Sequence, residues 1–247
     1  MSHRPNPLKG MHILPRCIDD AWLAFLDEDR LHALGEIEQK IGNHYTPRTE
    51  NVMRFLSSPL NSLKIVILGQ DPYPAEGRAT GRAFEVGDLA SWQDKFKQVS
   101  LKNIVRLLHK TYNGIKVYED IKKFSEIQKE IKEEKFKILP PDKIFKYWQQ
   151  QGVLLLNAYL TCEIGNPGSH REIWRDFTIQ VIQYMVNKNP TLKWFLWGSD
   201  AISYSQYIPE HNIYKNRHPM MCSNRFPDDF LKSNCFQDTR DIVNWLG

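Results

Sequence analysis

One stretch limits what this chain can fold into. Leu63 opens a short, nearly unbroken apolar run through Ile65, Val66, Ile67 and Leu68, three of them β-branched. A strand buried on both faces reads this way, and such strands belong to parallel sheets covered by helices on either side. Gly69 breaks the run, and Gln70-Asp71 stand where the strand must end. Pro72 and Pro74 stiffen the turn around Tyr73, and Gly77 and Gly81 let the backbone bend again before Phe84. Ligands of open α/β sheets sit at the carboxyl ends of the strands. A carboxylate on a proline-stiffened turn at that edge is placed as a catalytic group would be. On the turn alone, an ordinary solvated Asp fits equally well.

The rest of the chain supplies the partners such a strand needs. Asp19 or Asp20 caps a predicted helix carrying Trp22, Leu23, Phe25, Leu26, Leu31, Leu34 and Ile37 and stopping at Gly42; a second short helix is expected from Thr49 to Ser57. Ser100 is read as the cap of a helix with Leu101, Ile104, Val105, Leu107 and Leu108 at helical spacing. Pro140-Pro141-Asp142 starts another, closed by Gly152. Further strands are expected at Val153–Leu156, ending on Asn157, at Leu192–Trp197, ending on Gly198-Ser199, and at Asn212–Lys215, followed by Asn216-Arg217-His218-Pro219. Ser169 and Glu172 match a capping box for the helix through Met185, and a last helix is expected from about Asp238 to Leu246.

Strands alternating with helices predict a three-layer α/β/α fold around a central four-stranded parallel sheet, a single domain over residues 1–247. The first eighteen residues, with three prolines, read as a tail laid on the surface. Residues 116–138 read as an excursion from the main fold. Lys116 to Lys137 holds seven basic and six acidic residues around a thin stripe of Ile121, Phe124, Ile127 and Ile131, as in a solvated amphipathic helix. The predicted sheet would gather Gln70, Asp71, Asn157, Ser199 and His218 at one edge.

Charge and cysteines narrow the function classes. A net charge of +4 in 247 residues permits a polyanionic partner without demanding one. Cys17, Cys162, Cys222 and Cys235 are scattered with no C-x-x-C pair, so no zinc or iron–sulfur site is signalled, and no G-x-x-x-x-G-K-[ST] loop is present. No stretch approaches a membrane span and the first residues carry no apolar h-region, so the expectation is a cytoplasmic protein with free thiols.

With these motifs in place, the chain resembles the uracil-DNA glycosylases, closest to the family whose water-activating loop reads GQDPYH. Five of those six positions stand in Gly69-Gln70-Asp71-Pro72-Tyr73-Pro74. The G-x-A-F-x-V that follows is Gly81 to Val86, G-V-L-L-L-N-x-x-L-T is Gly152 to Thr161, S-H is Ser169-His170, and L-W-G-S is Leu196 to Ser199. The resemblance runs from about Tyr45 to the carboxyl terminus. Three departures stand out. The loop's final His is Pro74, the family's HPSPLS reads His218-Pro219-Met220-Met221-Cys222-Ser223, and the proline-rich segment before Ser100 is replaced by Lys95-Phe96-Lys97-Gln98-Val99.

The resemblance implies a monofunctional enzyme of base-excision repair that flips uracil out of DNA and hydrolyses its glycosidic bond, without a cofactor or metal. Asp71 would position water and favour the cationic sugar, and a neutral His218 would hold the uracilate anion. Asn157 would read uracil, donating to O4 and accepting from N3–H, the reverse of what cytosine offers. Phe84 would stack on the base, Tyr73 would exclude a C5 methyl, and the backbone N–H of Gln70 would add a donor. Ser100, Ser199 and Ser223 are candidate phosphate contacts, the first two equally well read as helix caps. Met221 or Cys222 would fill the gap left by the extracted base. Implied partners are single- or double-stranded DNA and a proteinaceous glycosylase inhibitor, with the enzyme a monomer. Two other readings stay open at this stage. One is a catalytically weak DNA-binding or replication-associated relative, suggested by Pro74 and the Met220–Cys222 changes; the other is a glycosylase with another base preference.

Overall fold

A computed structural model describes residues 11–247, leaving the first ten residues of the expected tail outside the described part. In chain order the elements are α1 (Asp20–Leu23), α2 (Glu28–Ile41), β1 (Tyr45–Thr46), β2 (Ile65–Gly69), α3 (Val99–Tyr112), α4 (Phe124–Lys132), α5 (Pro141–Gln150), β3 (Val153–Asn157), β4 (Cys162–Glu163), α6 (Arg171–Lys188), β5 (Lys193–Trp197), α7 (Ser199–Ile202) and β6 (Ile213–Asn216). Short 3-10 turns connect several of them. Four strands form one parallel sheet in the order β3-β2-β5-β6, with Ile65 beside Val153 and Lys193. β1 and β4 pair antiparallel as a small outlying ribbon.

The apolar runs divide between two cores because successive strand residues point to opposite faces. Val66, Leu68, Leu154, Leu156, Trp194 and Leu196 face one layer, where Trp22, Phe25, Leu34, Phe177 and Val181 of the α1, α2 and α6 region meet them. Ile65, Ile67, Val153, Leu155, Phe195 and Trp197 face the other, against Ile104, Leu108, Phe145, Trp148 and Trp245. All five residues of β2 and of β3 are buried. This is the three-layer α/β/α arrangement, and the chain order makes its edge useful. From β2 the chain crosses to β3 on one side, then returns past β2 to β5 on the other. The switch point lies between β2 and β5, whose exits are Gln70-Asp71 and Gly198-Ser199.

Several local expectations are corrected. The predicted helix from Asp19 or Asp20 to Gly42 is broken in two, because Asp27 competes as a second cap. Its side chain accepts from Arg30 N–H at 3.0 Å while Phe25 and Leu26 turn into the core. Thr49–Ser57 forms two 3-10 turns rather than a helix. Ser100 caps nothing: α3 begins at Val99, with Gln98 before it, and Ser100 lies buried inside the first turn. No capping box forms at Ser169, whose Oγ accepts from Glu163 N–H at 2.8 Å and so serves the β4 turn.

The carboxyl-terminal segment forms turns instead of the expected helix. Trp245 is drawn into the core between Phe236 and Trp148, its indole N–H donating to Thr239. In the tail, Ile13 is fully buried, so residues 11–18 are anchored rather than merely laid on the surface. The Lys/Glu-rich segment is also better packed than a solvated helix. Ile121, Phe124 and Ile127 are buried, and Glu130 of α4 bonds the buried His109 of α3 at 2.7 Å and is held by Lys122.

Candidate active site

The exits of the four strands are tied together by backbone hydrogen bonds beyond the sheet itself. Ala158 N–H donates to Gly69 and Tyr159 N–H to Gln70, both at 2.9 Å, and Gly198 N–H donates to Asn216 at 2.9 Å. Between them lies a cavity of about 190 Å³ lined by Gln70, Trp197, Gly198, Ser199, Asp200, His218, Met220 and Met221.

Asp71 leaves β2 half-buried, and its Oδ2 accepts from Gly168 N–H at 2.5 Å. Burial raises its pKa above the ordinary carboxylate value, and the charge of Asp200 pushes the same way, while the Gly168 N–H and the charge of Arg171 oppose the rise. Asp71 is thus a poorly solvated carboxyl whose surroundings disfavour its charge. Pro72 is buried with its carbonyl facing Cys162, and Pro74 presents its carbonyl to Gly165 N–H at 2.9 Å. The loop is therefore anchored at Pro72 and at Pro74.

His218 follows β6 in a turn closed by Pro219. Its Nδ1 accepts from Met220 N–H at 3.2 Å, which leaves the proton of the neutral ring on Nε2. Burial lowers its pKa, partly opposed by the charge of Asp200, so the ring is neutral at pH 7. Gly198, with φ +94°, makes room for this ring: a Cβ there would stand 3.0 Å from the Cβ of His218 and 3.1 Å from its Cδ2.

Asn157 ends β3 and is buried. Its Oδ1 lies over Gly69, where an added Cβ would stand 2.8 Å away. The amides of Asn103, Asn212 and Asn216 donate to the carbonyls of Pro219, Pro190 and Asp229. The Asn157 side-chain amide makes no hydrogen bond among the described residues, and its polar atoms are not closed off from solvent.

Phe84 sits in the left-handed region, φ +65°, a costly conformation for an aromatic residue. Its ring lies 5.4 Å from Trp197 and 6.3 Å from His218. Tyr73 donates its hydroxyl to the Phe84 carbonyl at 3.3 Å, which fixes the two rings relative to each other; burial raises the Tyr73 pKa and keeps it neutral.

The remaining candidates divide. Ser199 is exposed at the cavity, and Met220 and Met221 stand out at 56% and 57% exposure. Cys222 turns inward, its thiol donating to Pro219 at 3.2 Å. Ser223 is held by its N–H to Asp229, at 2.5 Å. Ser100 is not part of the cavity lining. Among the described residues, no group of three His, Cys, Asp or Glu side chains is placed to hold a metal ion.

Sequence reasoning missed Asp200, Arg171, Gly168 and Met220. Asp200 carries Arg171 at 2.7 Å and the Tyr159 hydroxyl at 3.1 Å, and its charge acts on both Asp71 and His218. Its signal was its place directly after Leu196-Trp197-Gly198-Ser199. Gly168 acts through its backbone and had none.

Comparison with known proteins shows the family. No family model matches the chain. It is 34% identical over 214 residues to the uracil-DNA glycosylase of Coxiella burnetii (strain Dugway 5J108-111), covering 85% of this chain and 82% of the relative. The chain belongs to the uracil-DNA glycosylase family. The uracil-DNA glycosylase of Clostridium beijerinckii (strain ATCC 51743 / NCIMB 8052) is 33% identical over 204 residues, covering 79% of this chain and 77% of the relative. Solved structures share the fold. UNG from Nitratifractor salsuginis superposes with a TM-score of 0.68 at 20% identity, covering 98% of this chain and 99% of that one. A mimivirus variant in complex with UGI gives 0.64 at 21% identity, with 90% and 83% covered.

Proposed function

We propose that this uracil-DNA glycosylase excises uracil from DNA by metal-free hydrolysis, with Asp71 and His218 as its catalytic residues. The observation that carries this reading is the pairing, at one switch point, of a desolvated carboxylate with an imidazole whose Nδ1 is already occupied. The bond between C1′ of the sugar and N1 of the base breaks with its electron pair leaving on N1. The resulting uracilate spreads its charge to O2, toward which the Nε2–H of His218 donates. A neutral donor suits this task, because it stabilises the anion without giving up its proton. Asp71 faces the opposite demand. Its charge favours the cationic sugar, and it accepts a proton from the water that attacks C1′; that proton passes through solvent to the uracilate, leaving an abasic site, free uracil and an ionised Asp71.

Asn157 reads the O4 and N3–H edge, Phe84 stacks on the ring, and Tyr73 blocks the C5 position. The backbone N–H of Gln70 adds a donor. Ser199 and Ser223 contact phosphates, Ser100 being a weaker candidate because it is buried in α3. Met221, with Met220 beside it, fills the vacated stack; Cys222 is the less suited of the original pair because its side chain faces inward. We place the chain with the subfamily whose loop reads GQDPYH, with Pro74 in the last position. We further infer that it works as a cytoplasmic monomer on single- or double-stranded DNA and that a proteinaceous inhibitor of the kind bound in the mimivirus complex can engage it. Among the described residues no helix is long and apolar enough to cross a membrane.

The test is release of free base from labelled oligonucleotides in the presence of a chelator. Uracil should be released from U·G, U·A and single-stranded substrates. Thymine from T·G and hypoxanthine should stay in place. Absence of uracil release, or chelator-sensitive release, would overturn the proposal.

A further inference from the structure

The catalytic cavity is not the largest concavity on the molecule. A groove of about 900 Å³ opens where the carboxyl end of α3 meets the start of the Lys/Glu-rich segment and the stretch after β6. Lys110, Lys116, Lys232 and Arg240 line it, and none of its fifteen lining residues is Asp or Glu. Elsewhere cations find carboxylates, as Arg82 finds Glu85 at 2.9 Å and Arg171 finds Asp200 at 2.7 Å. These four make no ion pair among the described residues.

Asp120, Asp238 and Asp241 adjoin lining residues in sequence and are exposed, whereas Asp229 and Glu119 are engaged. Asp229 is buried, accepting from the Tyr118 hydroxyl at 3.0 Å, from Ser223 N–H at 2.5 Å and from Leu231 N–H at 2.9 Å. Glu119 is bonded by the Asn224 amide. The last carbonyls of α3 are also taken: His109 by the Asn113 N–H and side-chain amide, Thr111 by Gly114 N–H and Lys110 by Ile115 N–H. They do not compete for the lysines.

Lys110 is half-buried, and its Nζ has only the Ser233 carbonyl, at 3.5 Å. A partly desolvated ammonium with one long hydrogen bond is a favourable place for an anion. Lys232 shows where that anion leads. Its Nζ donates to the carbonyls of Asn224 and Phe226, both at 2.8 Å, so its charge is fixed against the loop that begins at His218. The groove and the His218 turn therefore lie on one continuous stretch of chain, tied back on itself by Lys232.

We propose that this groove holds the sugar–phosphate backbone of the substrate DNA strand outside the catalytic cavity. The proposal rests on the reading of DNA as substrate. A single phosphate would need far less space: this volume is that of a site for a drug-sized ligand or larger. Four cations around an apolar floor of Tyr112, Ile115, Ile121 and Leu231 match a chain of phosphates joined by sugars. Continuity with the His218 loop favours the strand already held there over an unrelated anion.

Lys116→Glu/Arg240→Glu tests the proposal with two exposed side chains and leaves the Lys232 loop anchor alone. Uracil release is measured below saturation, across a salt series, on single strands of about 6 and about 24 nucleotides. Reversing two cations should lower kcat/KM on the long strand about tenfold and make its salt slope shallower by about 1.4, at about 0.7 per phosphate contact. The short strand and the saturated kcat should be unchanged. Equal losses on both lengths, or none on the long one, would overturn the proposal. So would inorganic phosphate inhibiting wild type equally at both lengths and losing that effect in the variant, which marks a small-anion site. Anisotropy with a uracil-free 24-nucleotide strand, compared with a short one, gives the same comparison without catalysis. A failure of uracil release by wild type would thus count against the enzyme reading alone. Thermal melting of the variant, with Lys116→Gln/Arg240→Gln beside it, separates loss of contact from loss of fold.

Discussion

Asp71→Asn separates charge from geometry at the centre of the site. The Asp71 Oδ2 accepts from Gly168 N–H at 2.5 Å, and an Asn in the same rotamer keeps an oxygen for that donor. The loop should stay in place while one negative charge disappears. That charge is only partly solvated, so its field on the sugar is weakly screened. A positioned acid–base group is worth about 10²–10⁴ in rate, or ~2.7–5.5 kcal/mol of barrier. Burial argues for the upper half, about 10³–10⁴.

Stability should move the other way. The folded-state pKa of Asp71 is raised, so its contribution favours folding at low pH and is lost as pH rises through that value. A neutral amide does not carry the charge that burial disfavours, so it should leave the melting temperature equal or higher. Single-turnover uracil release with enzyme in excess gives the rate, anisotropy gives DNA binding, and melting gives stability. A rate within about threefold of wild type would refute the role of the charge. A large loss accompanied by weak DNA binding or a fall in melting temperature would show instead that Asp71 holds the loop.

Asp200 and Arg171 should shift the acid limb of kcat/KM in opposite directions. Asp200→Asn removes the anion that raises Asp71 and His218, so activity should persist to lower pH; Arg171→Gln removes a cation that lowers Asp71, so activity should fail at higher pH. Shifts of the same sign would break the assignment of Asp71 to that limb. His218→Leu should lose roughly 10²–10³ in single-turnover rate with binding retained, as for one anion-stabilising donor, and a wild-type profile requiring a protonated imidazole would contradict the neutral tautomer set by Met220 N–H. Met221→Ala should slow duplex cleavage more than single-strand cleavage, because only a duplex loses a stacked neighbour, at a cost of a few kcal/mol; an effect seen only with Met220→Ala would pass the role to that residue. Tyr73→Ala should admit thymine slowly while keeping part of the uracil activity, since one methyl alone is worth only about 1–3 kcal/mol of discrimination and exclusion needs a wall. Unaltered base preference in a variant that still cuts uracil would place the wall elsewhere.

The legibility of this chain followed the range of each signal. Three strands were readable because strands buried on both faces need apolar runs, and Val153–Asn157 and Lys193–Trp197 supply them much as β2 does, while β6 is a half-exposed edge strand with no such run. Helix boundaries were less readable, because caps are decided by competition. Asp27 defeats a continuous helix from Asp20, and Ser169 is already committed to Glu163 before it can cap α6. The carboxyl-terminal helix failed for a tertiary reason: one Trp, 97 residues from its partner Trp148, gains more from the core than from a helical turn. At the candidate site, the motif brought Gln70, Asp71 and His218 to one sheet edge, whereas Gly168 and Arg171 meet it across long sequence separations. Gly168 reaches Asp71 over 97 residues through a backbone N–H that no residue type announces.

The residues that were found and those that were missed are joined by one structural device. Active-site loops need rigidity that loops do not possess, and here the sheet lends it past its own last rung. The exits of β2 and β3 stay paired at Gly69–Ala158 and Gln70–Tyr159, and those of β5 and β6 at Gly198–Asn216. Asp71 therefore leaves a fixed base and is clamped from the far side by Gly168, while His218 leaves two residues after a bonded Asn216 and has its ring fixed against Gly198. Phe84 is the strained member. Its left-handed backbone persists because Ala83 N–H is held by Leu155 of β3, its own carbonyl is held by the Tyr73 hydroxyl, and its ring packs on Trp197 of β5. Each anchor comes from a different strand or strand exit. A substitution that loosens one of them should therefore relax Phe84 before it unfolds the sheet, lowering base affinity while the melting temperature holds.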